Sequence, residues 1–152
     1  MMNLPEFSLI GRVDDCDPEL GCVRTVQCMP GADEYPLSHH FPGFPVMPGV
    51  LLTEIMAQSC GLLVYARSGG SRFGILAGID RARFKRFVGP ESVVACEAAL
   101  RDERSGFLVF ESRLVVGGKL VAKATLQLGT LPLKSRAVAS SLEAKWVSRE
   151  VP

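Results

Sequence analysis

Residues 48–67, PGVLLTEIMAQSCGLLVYAR, begin with a proline and contain no other, so they read as one long helix with Pro48 in its first turn. Val50, Leu51, Leu52, Ile55, Met56, Ala57, Cys60, Leu62, Leu63 and Val64 spread apolar side chains over every face. No wide polar stripe is left, and a helix of that kind is enclosed by protein or by lipid. Thr53, Glu54, Gln58 and Ser59 at mid-span argue against lipid, because a carboxylate at that depth is costly. The expectation is a helix covered by the rest of the chain, with no membrane span.

The remainder is rich in strand signals. Residues 22–29, 73–79, 81–88, 92–104, 107–116 and 119–129 read as strands. Residues 7–13 are short and apolar enough for a strand or a helical turn, and 14–18 interrupt them with turn chemistry. Arg104-Ser105-Gly106 and Gly117-Gly118 separate alternating runs as hairpin connections do, which predicts an antiparallel meander in the C-terminal half. One buried helix with five or six such strands is an α+β domain in which a curved sheet wraps the helix. Residues 30–48 carry five prolines and two glycines, so they form a restricted loop, the kind of segment that can hold a side chain in place. The domain is expected to span residues 1–130, with 131–152 a loosely held extension containing a short helix near 141–147.

The chain has 152 residues, the span of one domain. Its net charge of +1 excludes a generally basic nucleic-acid binder and an acidic tail protein. A composition of 47% hydrophobic and 22% charged residues excludes a wholly disordered chain. The five cysteines are odd in number, widely spread and without a C-x-x-C pair, so they are expected to be reduced thiols. No basic stretch followed by an apolar block is seen in the opening residues, so the cytoplasm is the expected compartment. The two histidines, His39 and His40, are adjacent and have no cysteine pair near them, so no metal site is expected.

Glu54 is the lone ionisable group in the interior of the apolar helix, one turn beyond its start. Removal of a carboxyl from water favours its protonated form, which suits general-acid work. Gln58, four residues on, shares its face and can hydrogen-bond it. A structural carboxylate tied to a buried arginine or to backbone donors fits the same position. His40 lies in the proline-rich loop just before the helix, and imidazole titrates near neutrality. In an extended segment neighbours point to opposite sides, so at most one of His39 and His40 faces a given pocket. The helix N-terminus near Gly49 supplies N–H groups for an anion, and glycine lets a ligand come close. An imidazole base, a carboxyl acid and a backbone oxyanion donor together suit proton removal beside a carbonyl, followed by loss of a β-hydroxyl as water.

The string His40-Phe41-Pro42-Gly43-Phe44-Pro45-Val46-Met47-Pro48-Gly49-Val50-Leu51, followed by Glu54-Ile55-Met56-Ala57-Gln58, resembles the signature of the β-hydroxyacyl-acyl-carrier-protein dehydratases of fatty-acid synthesis. Leu76-Ala77-Gly78-Ile79-Asp80-Arg81-Ala82-Arg83-Phe84-Lys85-Arg86 is also similar to theirs, and the likeness runs over most of residues 7–128. The resemblance implies a hot-dog fold and a homodimer with sites at the subunit interface, relatives forming dimers and trimers of dimers. It implies that His40 is the base, Glu54 the acidic partner from the other subunit and the Gly49 N–H the thioester-oxygen donor. It also implies an acyl carrier protein as partner and no cofactor. Relatives that isomerise the double bond carry Asp where this chain has Glu54, so simple dehydration to a trans-2-enoyl thioester is expected. Phe87 stands where the family often has proline, residues 35–39 differ from the usual loop, and 131–152 have no clear counterpart.

Arg81, Arg83, Lys85 and Arg86 place four cations within six residues, and on a regular strand Arg81, Arg83 and Lys85 share a face. That suits an acidic carrier protein or the phosphate of its phosphopantetheine arm, and equally a solvated strand face. Nucleic acid fits less well, since no aromatic platform accompanies the cluster. A hot-dog thioesterase and a non-catalytic acyl-carrier-binding subunit are the alternative functions.

Overall fold

Alternation of apolar and polar residues sets the sheet, and the all-apolar helix sets what the sheet must cover. The computed structural model describes residues 9–134. Its strands are β1 (Arg12–Asp17), β2 (Cys22–Cys28), β3 (Arg72–Phe84), β4 (Val93–Arg104), β5 (Phe107–Val116) and β6 (Lys119–Pro132). A single turn of 3-10 helix, Leu37–His39, interrupts the loop before helix α1 (Gly49–Arg67). The strands form one sheet in the order β1-β2-β4-β5-β6-β3, and every pairing is antiparallel. Helix α1 packs against β2, β3, β4, β5 and β6, the hot-dog arrangement that the resemblance implied.

The helix begins and ends where the sequence places it, with Pro48 as its N-cap rather than its first residue. Although α1 is long and apolar enough to cross a membrane by length and composition, its middle is core. Ile55, Met56, Cys60 and Leu63 have no exposure and meet Phe110, Leu114 and Leu126 from the sheet, which have none either. The β4-β5 and β5-β6 hairpins turn on Ser105-Gly106 and Gly117-Gly118, where both central residues have positive φ. That is the type I′ geometry whose twist matches flanking strands, and it confirms the meander.

Two expectations are corrected. Residues 14–17 belong to β1: the strand bulges between Val13 and Asp15, and the carboxylate of Asp14 accepts from Arg12 at 3.1 Å and Arg24 at 3.0 Å. These guanidinium bonds hold the Asp14 carboxyl below the usual carboxylate range. The turn starts only at Asp17, whose Oδ1 accepts the N–H groups of Glu19 and Leu20. The predicted strands 73–79 and 81–88 are one strand, β3, with irregularities between Leu76 and Gly78 and between Asp80 and Arg83. Arg81 takes a φ of 52° there, so the chain kinks without turning, and the strand stops at Phe84. Strand β6 runs past residue 130 to Pro132. The short helix expected near 141–147 lies outside the described residues.

All five cysteines are free. Burial pushes the Cys16 thiol up to about 11 and raises Cys60 and Cys96 as well, so none of these three offers much thiolate at neutral pH.

Leu63 fills the helix–sheet core with no exposure, so Leu63→Ala should lower stability by about 2–5 kcal/mol. Urea unfolding checks this: the midpoint should fall while the denaturant slope stays constant.

Candidate active site

The proline-rich loop folds as a small hairpin. Leu37, 1% exposed, anchors its first limb in the core. Phe41-Pro42-Gly43-Phe44 form the corner, with proline second and glycine third at a φ of +77°, the type II turn pattern. Phe41 and Phe44 exchange backbone hydrogen bonds at 3.1 and 2.9 Å, and the Val46 N–H donates to the His40 carbonyl at 3.0 Å. The Tyr35–Pro36 and His40–Phe41 peptide bonds are cis.

His40 is half-buried and His39 exposed; His39 closes the 3-10 turn, so the pair does not lie in the extended segment on which their opposite facing was expected. The His39 Nδ1 lies 2.9 Å from the Ser38 hydroxyl. The His40 Nδ1 lies 2.9 Å from the Val46 carbonyl oxygen. A carbonyl can only accept, so Nδ1 carries the hydrogen and Nε2 of the neutral ring keeps a lone pair. The ring packs on Phe41 with centroids 4.4 Å apart. Sequence reasoning missed Val46 as the partner of the imidazole, because the contact is made by backbone and depends on the hairpin closing.

Helix α1 presents the other groups. The Pro48 carbonyl receives the Leu51 and Leu52 N–H groups at 3.0 and 3.1 Å, and the N–H groups of Gly49 and Val50 precede any intrahelical acceptor. A methyl added at Gly49 would sit 3.3 Å from the Phe84 ring, so glycine is what allows that ring to lie over the helix end. Phe84 carries no polar group and lies among cations, so the sequence alone does not mark it as part of the site.

Glu54 is half-buried, and its Oε1 accepts from Gln58 Nε2 at 3.0 Å, the contact predicted from their spacing. Gln58 is held in turn, because its Oε1 accepts the Leu9 N–H at 2.9 Å. The orientation of the amide is thereby settled: its oxygen is occupied by a donor and its nitrogen faces the carboxylate. Among the described residues Glu54 makes no salt bridge to an arginine. Within one chain, His40 and Glu54 are not joined by a hydrogen bond or an ion pair.

Of the three cations expected on one strand face, Arg81 and Arg83 lie within β3, with Arg83 opposite Lys123, whereas Lys85 lies past the strand's end. Arg81 sits in the β3 bulge and lines a groove of about 670 Å3 on the sheet's outer side, with Arg113 and Lys123. Lys85 and Arg86 lie beyond the end of β3, where both N–H groups donate to the Val121 carbonyl at 2.7 and 3.3 Å. Arg83 donates to the Ala82 carbonyl at 2.9 Å. The expected shared face does not extend to Lys85 because β3 ends at Phe84. That outer groove holds none of His40, Gly49 and Glu54.

The family model described as a FabA-like domain matches residues 4–125. The chain belongs to the FabA-like family. A 3-hydroxyacyl-[acyl-carrier-protein] dehydratase, FabZ, of Klebsiella pneumoniae is 43% identical over 123 residues, covering 79% of this chain and 80% of its own. FabZ of Syntrophotalea carbinolica is 36% identical over 123 residues, covering 80% and 82%. Among solved structures, the dehydratase heterocomplex ApeI:P from Xenorhabdus doucetiae matches with a TM-score of 0.65 at 21% identity, covering 91% of this chain and 90% of that one. A thioesterase from Haemophilus influenzae matches with a TM-score of 0.59 at 14% identity, covering 76% of each. At these identities the two structures testify to the fold alone.

Gln58→Leu removes the donor to Glu54 and the acceptor of the Leu9 N–H at once. A stability loss of about 1 kcal/mol is expected, since both bonds are partly solvated, and chemical denaturation measures it.

Proposed function

We propose that this chain dehydrates 3-hydroxyacyl-[acyl-carrier-protein] thioesters to trans-2-enoyl thioesters, as a cytoplasmic hydro-lyase that needs no cofactor. The observation that carries the reading is the His40 ring, whose Nδ1–H is committed to the Val46 carbonyl so that Nε2 is the basic atom. FabA-like family membership and the 36–43% identity to the two FabZ relatives support the same chemistry.

In the proposed reaction His40 Nε2 removes the proton from the carbon beside the thioester carbonyl. The electron pair left behind forms the new double bond as the carbon–oxygen bond at the next carbon breaks. A protonated Glu54 carboxyl gives its proton to the departing hydroxyl, which leaves as water. The Gly49 N–H, at the start of α1, holds the negative charge that gathers on the thioester oxygen. Gln58 keeps the Glu54 carboxyl aimed, and the fixed geometry spares the site reorganisation at the moment of reaction.

The two residues are assigned to one site built from two chains of a homodimer, His40 from one and Glu54 from the other. The resemblance to the dehydratase family supports that assembly. Acyl carrier protein is the proposed presenter of the substrate, with Lys85 and Arg86 its nearest cationic contacts beside the Phe84 ring, and Arg81 and Arg83 more remote along β3.

Purified protein incubated with a 3-hydroxyacyl carrier should lose one water while the thioester stays intact, read by intact mass and by the conjugated enoyl absorbance. His40→Ala and Glu54→Gln should each reduce turnover roughly 100-fold or more with an unchanged far-UV spectrum. Free thiol released from a saturated acyl thioester would instead identify a thioesterase, and carrier binding without turnover a non-catalytic subunit.

Equal mixing of the two inactive variants tests the shared site. Each mixed dimer then has one site with neither substitution, so activity should return to about a quarter of wild type after subunit exchange. Absence of any recovery would place both residues in the same chain's site.

A further inference from the structure

The hairpin that carries His40 is anchored at its base and needs something to hold its tip. Its corner, Pro42-Gly43, is exposed, and a methyl added at Gly43 would meet nothing within 4 Å. The contact at the tip comes from a distant part of the sequence. The ring of Phe87 meets that of Phe44 edge to face, with centroids 5.4 Å apart and planes at 88°.

Phe87 stands on fixed backbone. On one side Lys85 and Arg86 are tied to the Val121 carbonyl of β6; on the other, Val88 is 1% exposed and its carbonyl accepts the Met47 N–H at 2.8 Å. The ring therefore reaches from an anchored segment across to the free end of the hairpin. With Phe87 79% exposed and Phe44 53% exposed, neither ring contributes much to the core, so the pair serves geometry rather than burial.

We propose that Phe87 is a positioning residue: its edge-to-face contact with Phe44 clamps the hairpin and so fixes the His40 imidazole for proton removal. The catalytic consequence rests on the dehydratase reading above; the clamp itself does not.

The test uses the full chain, with Phe87→Ala and the conservative Phe87→Tyr. In Phe87→Ala, kcat should fall roughly two- to tenfold with KM unchanged, the factor that an edge-to-face pair supplies, and Phe87→Tyr should keep the wild-type kcat. Hydrogen exchange at the Phe44 and Val46 amides should accelerate by a similar factor in Phe87→Ala and not in Phe87→Tyr. Phe44→Leu added to Phe87→Ala should produce little further change, because both substitutions open the same contact. A raised KM with kcat and exchange untouched would overturn the clamp and make the ring a substrate contact. Unchanged exchange in Phe87→Ala would overturn it as well. Accelerated exchange in a protein whose wild type turns over no 3-hydroxyacyl thioester would uphold the clamp and remove the dehydratase reading.

Discussion

A helix with apolar side chains on every face is stable in water only when something surrounds it, and α1 meets that demand by contact with five of the six strands. The demand shapes the rest of the chain. Inward positions of the sheet are filled by Val94, Cys96, Phe110, Leu114, Ala122 and Leu126, none of them exposed. Polar groups that must accompany the helix are paired inside: the Ser59 hydroxyl lies 2.8 Å from Thr25 and donates to the Ile55 carbonyl at 2.8 Å. Because the sheet encloses the middle of α1, chemistry is left to the first turns. There Gly49 and Glu54 are only half-buried, and the loop before the helix can bring a histidine.

That loop gains its order from backbone more than from side chains. Closure of the Phe41–Phe44 turn sets the Val46 carbonyl against the imidazole, so one hydrogen bond selects the tautomer and the ring orientation together. The carboxyl of Glu54 is arranged by a different route, through an amide that is itself fixed by the Leu9 N–H. Each of the two side chains proposed to react thus has a second residue that determines where it points, the condition for a site that does not reorganise during reaction.

Much of this is legible in the sequence, and the parts that are not share a cause. The helix bounds, the restricted loop, the two hairpin turns and the Glu54–Gln58 contact follow from local chemistry: proline position, glycine pairs and a four-residue spacing. The continuity of β3 is hidden because Arg81 adopts a left-handed conformation usually given to glycine, so no residue type marks the kink. The extension of β1 to Asp17 is hidden because Asp14 and Asp15 look like turn residues, until Arg24 of the neighbouring strand provides a counter-charge. The Val46 carbonyl and the Phe84 ring enter the site only through tertiary folding. Each of these depends on a partner distant in sequence or on a closed turn, and periodicity contains no such information.

The buried thiols have a use that follows from their location. Cys60 looks out from the helix and Cys96 from β4, both without exposure, in a core where burial suppresses ionisation. An alkylating reagent cannot reach either until the sheet lifts from the helix. Their modification rates therefore time that separation from within, and the chain comes with its own probe of how often its two layers part.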